Sequence, residues 1–277
     1  MKTVIMKLIN PLPCIKLMVE NRFLLGQLVH RNFEARFKGS YLGLIWSFVQ
    51  PLMMLSVYTF VFTYVLKAKF GVPIEDTRPG AFPMIMFCGM AVFNIFSDTV
   101  NSCSTIVNTN SNLVKKVVFP LELLPMSQAL VCFIFGLIWF FLLMFGVIFI
   151  LNSLRWTALL VPLMLVPLFL FSAGCGFIVS AFGVYIRDLP YMIGVVLQIL
   201  FFMTPIFYSV KSVPPQFQVF LYLNPLCEMV EQTRVVFLYG QFPNWSYVVI
   251  LWLGSILVFH FGFLLFSKLK KGFADVL

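Results

Sequence analysis

Apolar residues run through this chain in long unbroken blocks rather than in short alternations. Residues 39–66, 123–154, 156–186, 189–210 and 235–267 carry no Asp, Glu, Lys or Arg, and 79–114 carries only Asp98. A bilayer core of about 30 Å is crossed by about 20 apolar residues of helix, so each of the six blocks has room for one span. The pattern predicts an all-α membrane protein, a single transmembrane domain over 1–277. Its spans are expected at about 41–66, 82–107, 126–151, 159–184, 191–208 and 247–266, the fifth being short. A transmembrane β-barrel is excluded, because its strands alternate over about ten residues.

Between and within the blocks the polar residues are placed with some order. Ahead of the first span, "RFLLGQLVHRNFEARFK" (22–38) repeats Leu25, Val29, Phe33 and Phe37 every four residues, with Gln27, Arg31, Glu34 and Lys38 opposite. That is a basic amphipathic helix lying in the membrane interface, either a plain anchor or a platform for a cytoplasmic partner. The first span is aromatic (Trp46, Phe48, Tyr58, Phe60, Phe62, Tyr64) and contains Pro51, which should kink it unless neighbours satisfy the freed carbonyl. In the second span Asn94, Asp98, Asn101, Thr105 and Asn108 fall on one face. Such a face serves interhelical hydrogen bonding or lines a wet path, and the spacing does not choose between them. Ser172, Gly176 and Ser180 form a small-residue row suited to close helix approach.

Three breaks in the apolar pattern stand out. "NLVKKVVFPLELLP" (112–125) interrupts it with Lys115, Lys116, Glu122, Pro120 and Pro125, while Leu113, Val117 and Phe119 call for a surface to cover them. "YIRDLP" makes a tight turn at Arg187 and Asp188. The 209–245 segment reads as two short helices, the second ending near Gly240. These are surface-lying or re-entrant, and serve as a gate or as a passive lid.

Charge orients the chain. With six spans both termini share one side, which collects 13 Lys and Arg (seven in 2–38, then Lys115, Lys116, Arg187, Lys268, Lys270 and Lys271). The other side collects six (Lys67, Lys69, Arg78, Arg155, Lys211, Arg234). The positive-inside rule makes both termini cytoplasmic. The net charge of +9 then reflects this asymmetry and attraction to anionic lipid headgroups, with no need for nucleic acid. A 61% hydrophobic composition, 10% charged residues and a mean hydropathy of +0.99 agree with a lipid solvent. The N-terminal run is broken by Lys7 and prolines, so no cleavable signal is expected. Six cysteines without CxxC spacing predict packing residues rather than disulfides or zinc, and His260 reads as a packed or interfacial residue.

Catalytic chemistry finds no foothold. There is no Walker A loop, since "GFLLFSK" from Gly262 lacks the second glycine, and no HExxH, GxSxG or acidic cluster. With Asp98 the single charge inside a span, ion-coupled transport is also disfavoured. A protein that moves a cargo without internal coupling draws energy from a partner.

Several motifs in register resemble those of the polysaccharide-export ABC-2 permeases, the membrane subunits that export O-antigen, teichoic acid and capsule. They are "RNFEARFKGSYLGLIWSFVQPLMMLSVYTFVF" (31–62), "NSNLVKKVVFPLELLP" (110–125), "YIRDLPYMIGVVLQILFFMTPIFY" (185–208), "NPLCEMVEQTR" (224–234) and "FADVL" (273–277). The O-antigen and teichoic acid branches look nearer than the capsule branch. The resemblance implies a homodimer in the bacterial inner membrane, paired with two copies of a separate ATPase. This chain holds no cofactor or metal, ATP and magnesium belonging to the ATPase. The cargo is a polyprenyl-pyrophosphate-linked glycan. It further implies an interface helix at 22–38 (Arg31, Phe33, Glu34, Arg36, Phe37, Lys38) and a coupling helix at 112–125 (Leu113, Lys115, Lys116, Phe119, Pro120, Glu122). Gate helices follow at 209–240. With spans 1 and 5 facing the channel, Tyr58, Phe60, Tyr64, Phe201, Phe202 and Tyr208 offer sugar-stacking faces beside Asn94, Asp98 and Asn101, against a competing lipid-facing role. A permease for a smaller lipid or drug shares this plan. A membrane-integral glycan-modifying enzyme needs a paired acid and base that the sequence does not offer.

Overall fold

The computed structural model describes residues 12–65, 81–115, 119–151 and 155–277, and among these it is helical with no strand. Helices α1 (Leu12–Glu20) and α2 (Arg22–Ala35) precede α3 (Trp46–Thr59), which ends in a wider π-helical turn, Phe60–Val65. Next come α4 (Ala81–Cys103), the short α5 (Ile106–Thr109) and α6 (Ser111–Lys115), and α7 (Leu123–Gly146), again ending in a π turn. Then follow α8 (Val161–Tyr185), α9 (Leu189–Met203), α10 (Pro215–Tyr222), α11 (Pro225–Phe237), α12 (Trp245–Leu269) and the C-terminal turn α13 (Phe273–Val276). We call the end of the bundle where α4, α8 and α12 begin its upper end.

Five helical segments are long and apolar enough to cross a bilayer: Gly43–Val65, Ala81–Cys103, Leu123–Phe149, Trp156–Tyr185 and the segment from Trp245. The expected span at 191–208 is shorter in the structure, because α9 stops at Met203. Pro205 forces Thr204 out of the helical region, to φ −91 and ψ 135. Fifteen residues rise about 22 Å, short of the hydrocarbon thickness.

Helix α4 is the hub. Of its most apolar stretch 83% is buried, against 6% for the segment containing α3. A helix apolar on nearly every face belongs at the centre of a bundle, and α7, α8 and α11 surround it. On α8, Gly176 brings the backbone close to α4, where a Cβ would lie 3.0 Å from Cys103 Sγ. The small-residue row is therefore a packing seam. A second seam lies between α8 and α12: a Cβ on Gly174 would stand 2.6 Å from the backbone nitrogen of Phe259. Alongside it, Pro167 cannot donate to the carbonyl of Leu163. The indole N–H of Trp252 on α12 bonds that carbonyl instead, at 3.1 Å.

Within the 209–240 segment α11 lies inside the bundle, whereas α10 is largely exposed. The end of α11 sits at the upper end, where Thr157 donates to Val236 O (2.7 Å) and Arg155 to Tyr239 O (2.9 Å). Gly240 follows in the left-handed region at φ 65. From there α11 descends 13 residues, about 20 Å, to Asn224. Asn224 caps the helix by accepting from Leu226 N, and its amide donates to Thr204 Oγ1, both at 3.1 Å. The tip of the α10–α11 hairpin thus rests on the terminus of α9. A short helix below and a re-entrant hairpin above share one column of the bundle.

Candidate functional site

A cavity of about 440 Å³ opens between the end of α2 and helices α3, α4, α7 and α9. Pro51 is buried inside α3. It leaves the carbonyl of Ser47 without its usual N–H, and Ser47, Gln50 and Pro51 all line the cavity. Across from them Asn94 and Asp98 stand one turn apart on α4, with Trp46, Tyr58, Trp139 and Phe201 supplying flat aromatic walls. Asp98 accepts a hydrogen bond from Arg36 Nη2 at 3.0 Å, and the guanidinium lies 4.3 Å from the centre of the Phe135 ring on α7. Both partners are about 40% exposed (39% and 44%), so the pair adds little stability. Its importance is geometric, because it ties the amphipathic helix to the hub helix at the mouth of the cavity.

Of the residues expected to line a path, Tyr58, Asn94, Asp98 and Phe201 meet at this cavity. Phe60, Tyr64 and Phe202 instead point outward, exposed by 62%, 66% and 62%, and Asn101 is exposed as well. Tyr208 folds back, its hydroxyl donating to Phe202 O at 2.9 Å. The polar stripe of α4 and α5 therefore divides. Asn94 and Asp98 face the cavity, while Asn108 bonds Gly183 O of α8 at 2.8 Å as an interhelical link.

The lower end holds the remaining candidates. Phe33 stacks on Phe135 at 5.0 Å and Phe37 meets the same ring edge-on at 5.4 Å, so α2 packs along α7 through the apolar face read from the sequence. Arg31 reaches Asn110 at 2.9 Å, and Glu34 and Lys38 are exposed. The 112–125 stretch is not one helix. α6 is described as far as Lys115, residues 119 and 120 belong to no helix, and α7 starts at Leu123, with Pro120 ahead of it and Pro125 in its first turn, where a missing N–H is tolerated. Lys115 is exposed, Leu113 and Phe119 are half-buried against the lower core, and Pro120 lies beside them. Lys116 falls outside the described residues. Glu122 is 2% exposed and bonds Lys270 Nζ (2.6 Å) and Ser267 Oγ (3.0 Å) of the C-terminal region. It reaches no docking surface and instead holds the chain end to the bundle. Arg187 and Asp188 are exposed in the turn before α9.

Arg234, counted from the sequence among the charges of the external side, is buried in the structure. It is 0% exposed, and its guanidinium donates to Pro205 O (2.6 Å), Ile206 O (2.9 Å), Ile85 O (3.2 Å) and Glu231 Oε1 (2.8 Å). One side chain thus satisfies the carbonyls that unwinding after α9 leaves open and fastens α11 to α4. Gly89 makes room, since a Cβ there would lie 2.7 Å from Arg234 Nη2. The signal in the sequence was the coincidence of Thr-Pro at 204–205 with a glutamate and an arginine three apart, at 231 and 234, on a helix in an apolar chain.

A bundle with a solvent-reaching cavity, a buried hub and a re-entrant hairpin has the form of a membrane transport subunit. The ABC-2 type transporter family matches residues 24–238, and the chain belongs to that family. It is 29% identical over 260 residues to the O-antigen export system permease protein RfbA of Klebsiella pneumoniae, covering 92% of this chain and 95% of the relative. The RfbA protein of Myxococcus xanthus is 26% identical over the same shares. The polysialic acid transport protein KpsM of Escherichia coli is 24% identical, over 74% of this chain and 77% of its own length.

Proposed function

We propose that this chain is the membrane permease subunit of an ABC exporter that carries a lipid-linked polysaccharide of O-antigen type out across the bacterial inner membrane. The observation that carries the reading is the end-to-end likeness to O-antigen export permeases over 92% of the chain. In this reading α9 together with its capping hairpin counts as the sixth span, and both termini are cytoplasmic, as the positive-inside rule favours. The apolar outward faces of α3 (Leu52, Met53, Val57) and α9 (Val195, Ile199) meet a second copy of the chain. The cavity beside them forms half of the glycan path.

Two copies of a separate ATPase bind ATP and magnesium and press on the lower end. The exposed α6 with Lys115 receives that push, together with the polar face of α2 (Arg31, Glu34, Lys38). Phe33, Phe37 and Arg36 pass movement of α2 to α7 and α4, a shear of packed helices. It requires that the ATPase's nucleotide states bind α6 and α2 with different affinities. The permease itself performs no hydrolysis.

The test is co-purification with a separate ABC ATPase subunit, followed by ATP hydrolysis measured with and without the lipid-linked glycan. Glycan stimulation supports the reading. Stimulation by a small amphiphile alone would replace it with a lipid or drug exporter. Lys115→Glu should weaken ATPase capture and export while insertion stays normal, and undiminished export would remove α6 from the coupling path.

A further inference from the structure

Below the α10–α11 hairpin, bounded also by α8 and α12, lies a second cavity of about 490 Å³. Phe171, Met229, Ile250 and Leu251 make its wall largely apolar, and Tyr222 and Tyr247 add two hydroxyls. Among the described residues lining it, Glu228 is the one that bears a charge, and no Lys or Arg accompanies it. Glu228 accepts from Gln232 Nε2 at 2.6 Å, whereas Glu231 on the next turn is committed to Arg234. An adjacent cation would favour the ionised form of the Glu228 carboxyl. On the opposite wall Ser255 is 2% exposed, and its hydroxyl has no hydrogen-bond partner. A buried hydroxyl facing a cavity is costly until an acceptor arrives.

The two polar groups sit at different depths. Gln232 Oε1 accepts the backbone N–H of Asn244 at 2.9 Å, which sets α11 and α12 at one level. At about 1.5 Å per residue, Glu228 lies about 6 Å and Ser255 about 16 Å below that level. The separation matches the extended run from an ethanolamine ammonium to the glycerol ester carbonyls of one phospholipid. We propose that this cavity binds one molecule of an amine-bearing phospholipid, with its ammonium on Glu228, its glycerophosphate beside Ile250, an ester carbonyl accepting from Ser255, and an acyl chain leaving at Gly254 and running along Val258. The apolar wall, the uncompensated carboxylate and the unpartnered hydroxyl are each matched by a part of that molecule. The assignment is independent of what the chain transports.

The experiment uses the full-length chain equilibrated with equal phosphatidylethanolamine, phosphatidylglycerol and phosphatidylcholine in mixed micelles. Native mass spectrometry then counts retained lipids. One phosphatidylethanolamine per chain is expected in preference to the other two. Glu228→Gln should lower that retention about tenfold, as loss of a charge-assisted hydrogen bond implies, and erase the preference over phosphatidylcholine. At Gly254 an added Cβ meets nothing within 4 Å, so Gly254→Leu should fill the acyl path and release the bound lipid whatever its headgroup, with thermal unfolding unchanged. Equal retention of the three lipids by the wild-type chain, or an undiminished adduct in Gly254→Leu, would overturn the proposal. Should Gly254→Leu unfold the chain, the headgroup preference in Glu228→Gln still decides.

Discussion

Replacing Arg234 by Met keeps a long flexible side chain while deleting four donated hydrogen bonds. The carbonyls of Pro205 and Ile206 and the Glu231 carboxylate then lose this donor, whereas Ile85 O, inside α4, keeps the helical N–H of Gly89. A buried polar group left unsatisfied costs about 1–3 kcal/mol, so two carbonyls set a range of about 2–6 kcal/mol before any relaxation. Glu231 retains 27% exposure of its side chain, which lets water soften its loss. Truncating one side of a buried pair costs about 3–5 kcal/mol, which falls within that range and is the expected effect. The damage should be local at first, loosening the hairpin from α4 and from the end of α9. Cys88, 0% exposed one position from Gly89, reports this directly. In a chain whose other five cysteines are replaced, a water-soluble maleimide should leave wild-type Cys88 unlabelled and modify it in Arg234→Met. The apparent melting temperature of the detergent-purified chain should fall in parallel. Arg234→Lys, with one short cluster of donors for four acceptors, should fall between. A protected Cys88 and an unchanged melting temperature in Arg234→Met would refute the claim that this guanidinium holds the hairpin.

Three further outcomes follow from packing and charge. Glu122→Gln and Lys270→Met should each destabilise the chain and free its C-terminus to protease, with double-mutant coupling of at least about 1 kcal/mol expected for so buried a pair; independent effects would show that the ion pair adds nothing. Arg36→Asp and Asp98→Arg should each impair export, and the two together should restore part of it; a double variant as poor as the worse single one would show that the contact between α2 and α4 is incidental. Gly174→Leu drives a side chain into the α12 backbone and should abolish folded protein, whereas Gly26→Leu, with open space around it, should express normally.

The uncharged blocks revealed the helices because hydrophobic length is a property of sequence alone, and their boundaries moved by only a few residues. The exceptions have a shared cause. Thr204-Pro205 ends α9 early, and the hairpin that meets its end comes from residues 20 positions further on, a pairing across space that periodicity does not encode. Arg234 counts among the external charges in the sequence because an arginine in a helix that also carries Glu228, Glu231 and Gln232 reads the same whether water or carbonyls surround it. Glu122 was assigned to a docking surface for the neighbouring reason: its partner, Lys270, is 148 residues away. The division of the polar stripe, with Asp98 toward the cavity and Asn108 toward α8, likewise depends on which neighbour each turn of one continuous face meets. The apolar faces of α2, by contrast, were readable, because an amphipathic helix declares its buried side by spacing.

The bond from Trp252 to the carbonyl opened by Pro167 makes the order of mutation matter. A chain with Pro167 depends on the indole, so Trp252→Phe alone strands an acceptor. Pro167→Ala restores a backbone donor on α8, and Trp252→Phe in that background should be nearly silent. The two sites are therefore epistatic with a preferred sequence of loss: a lineage that gives up the proline can afterwards shed the tryptophan, while one that sheds the tryptophan first passes through a weakened intermediate.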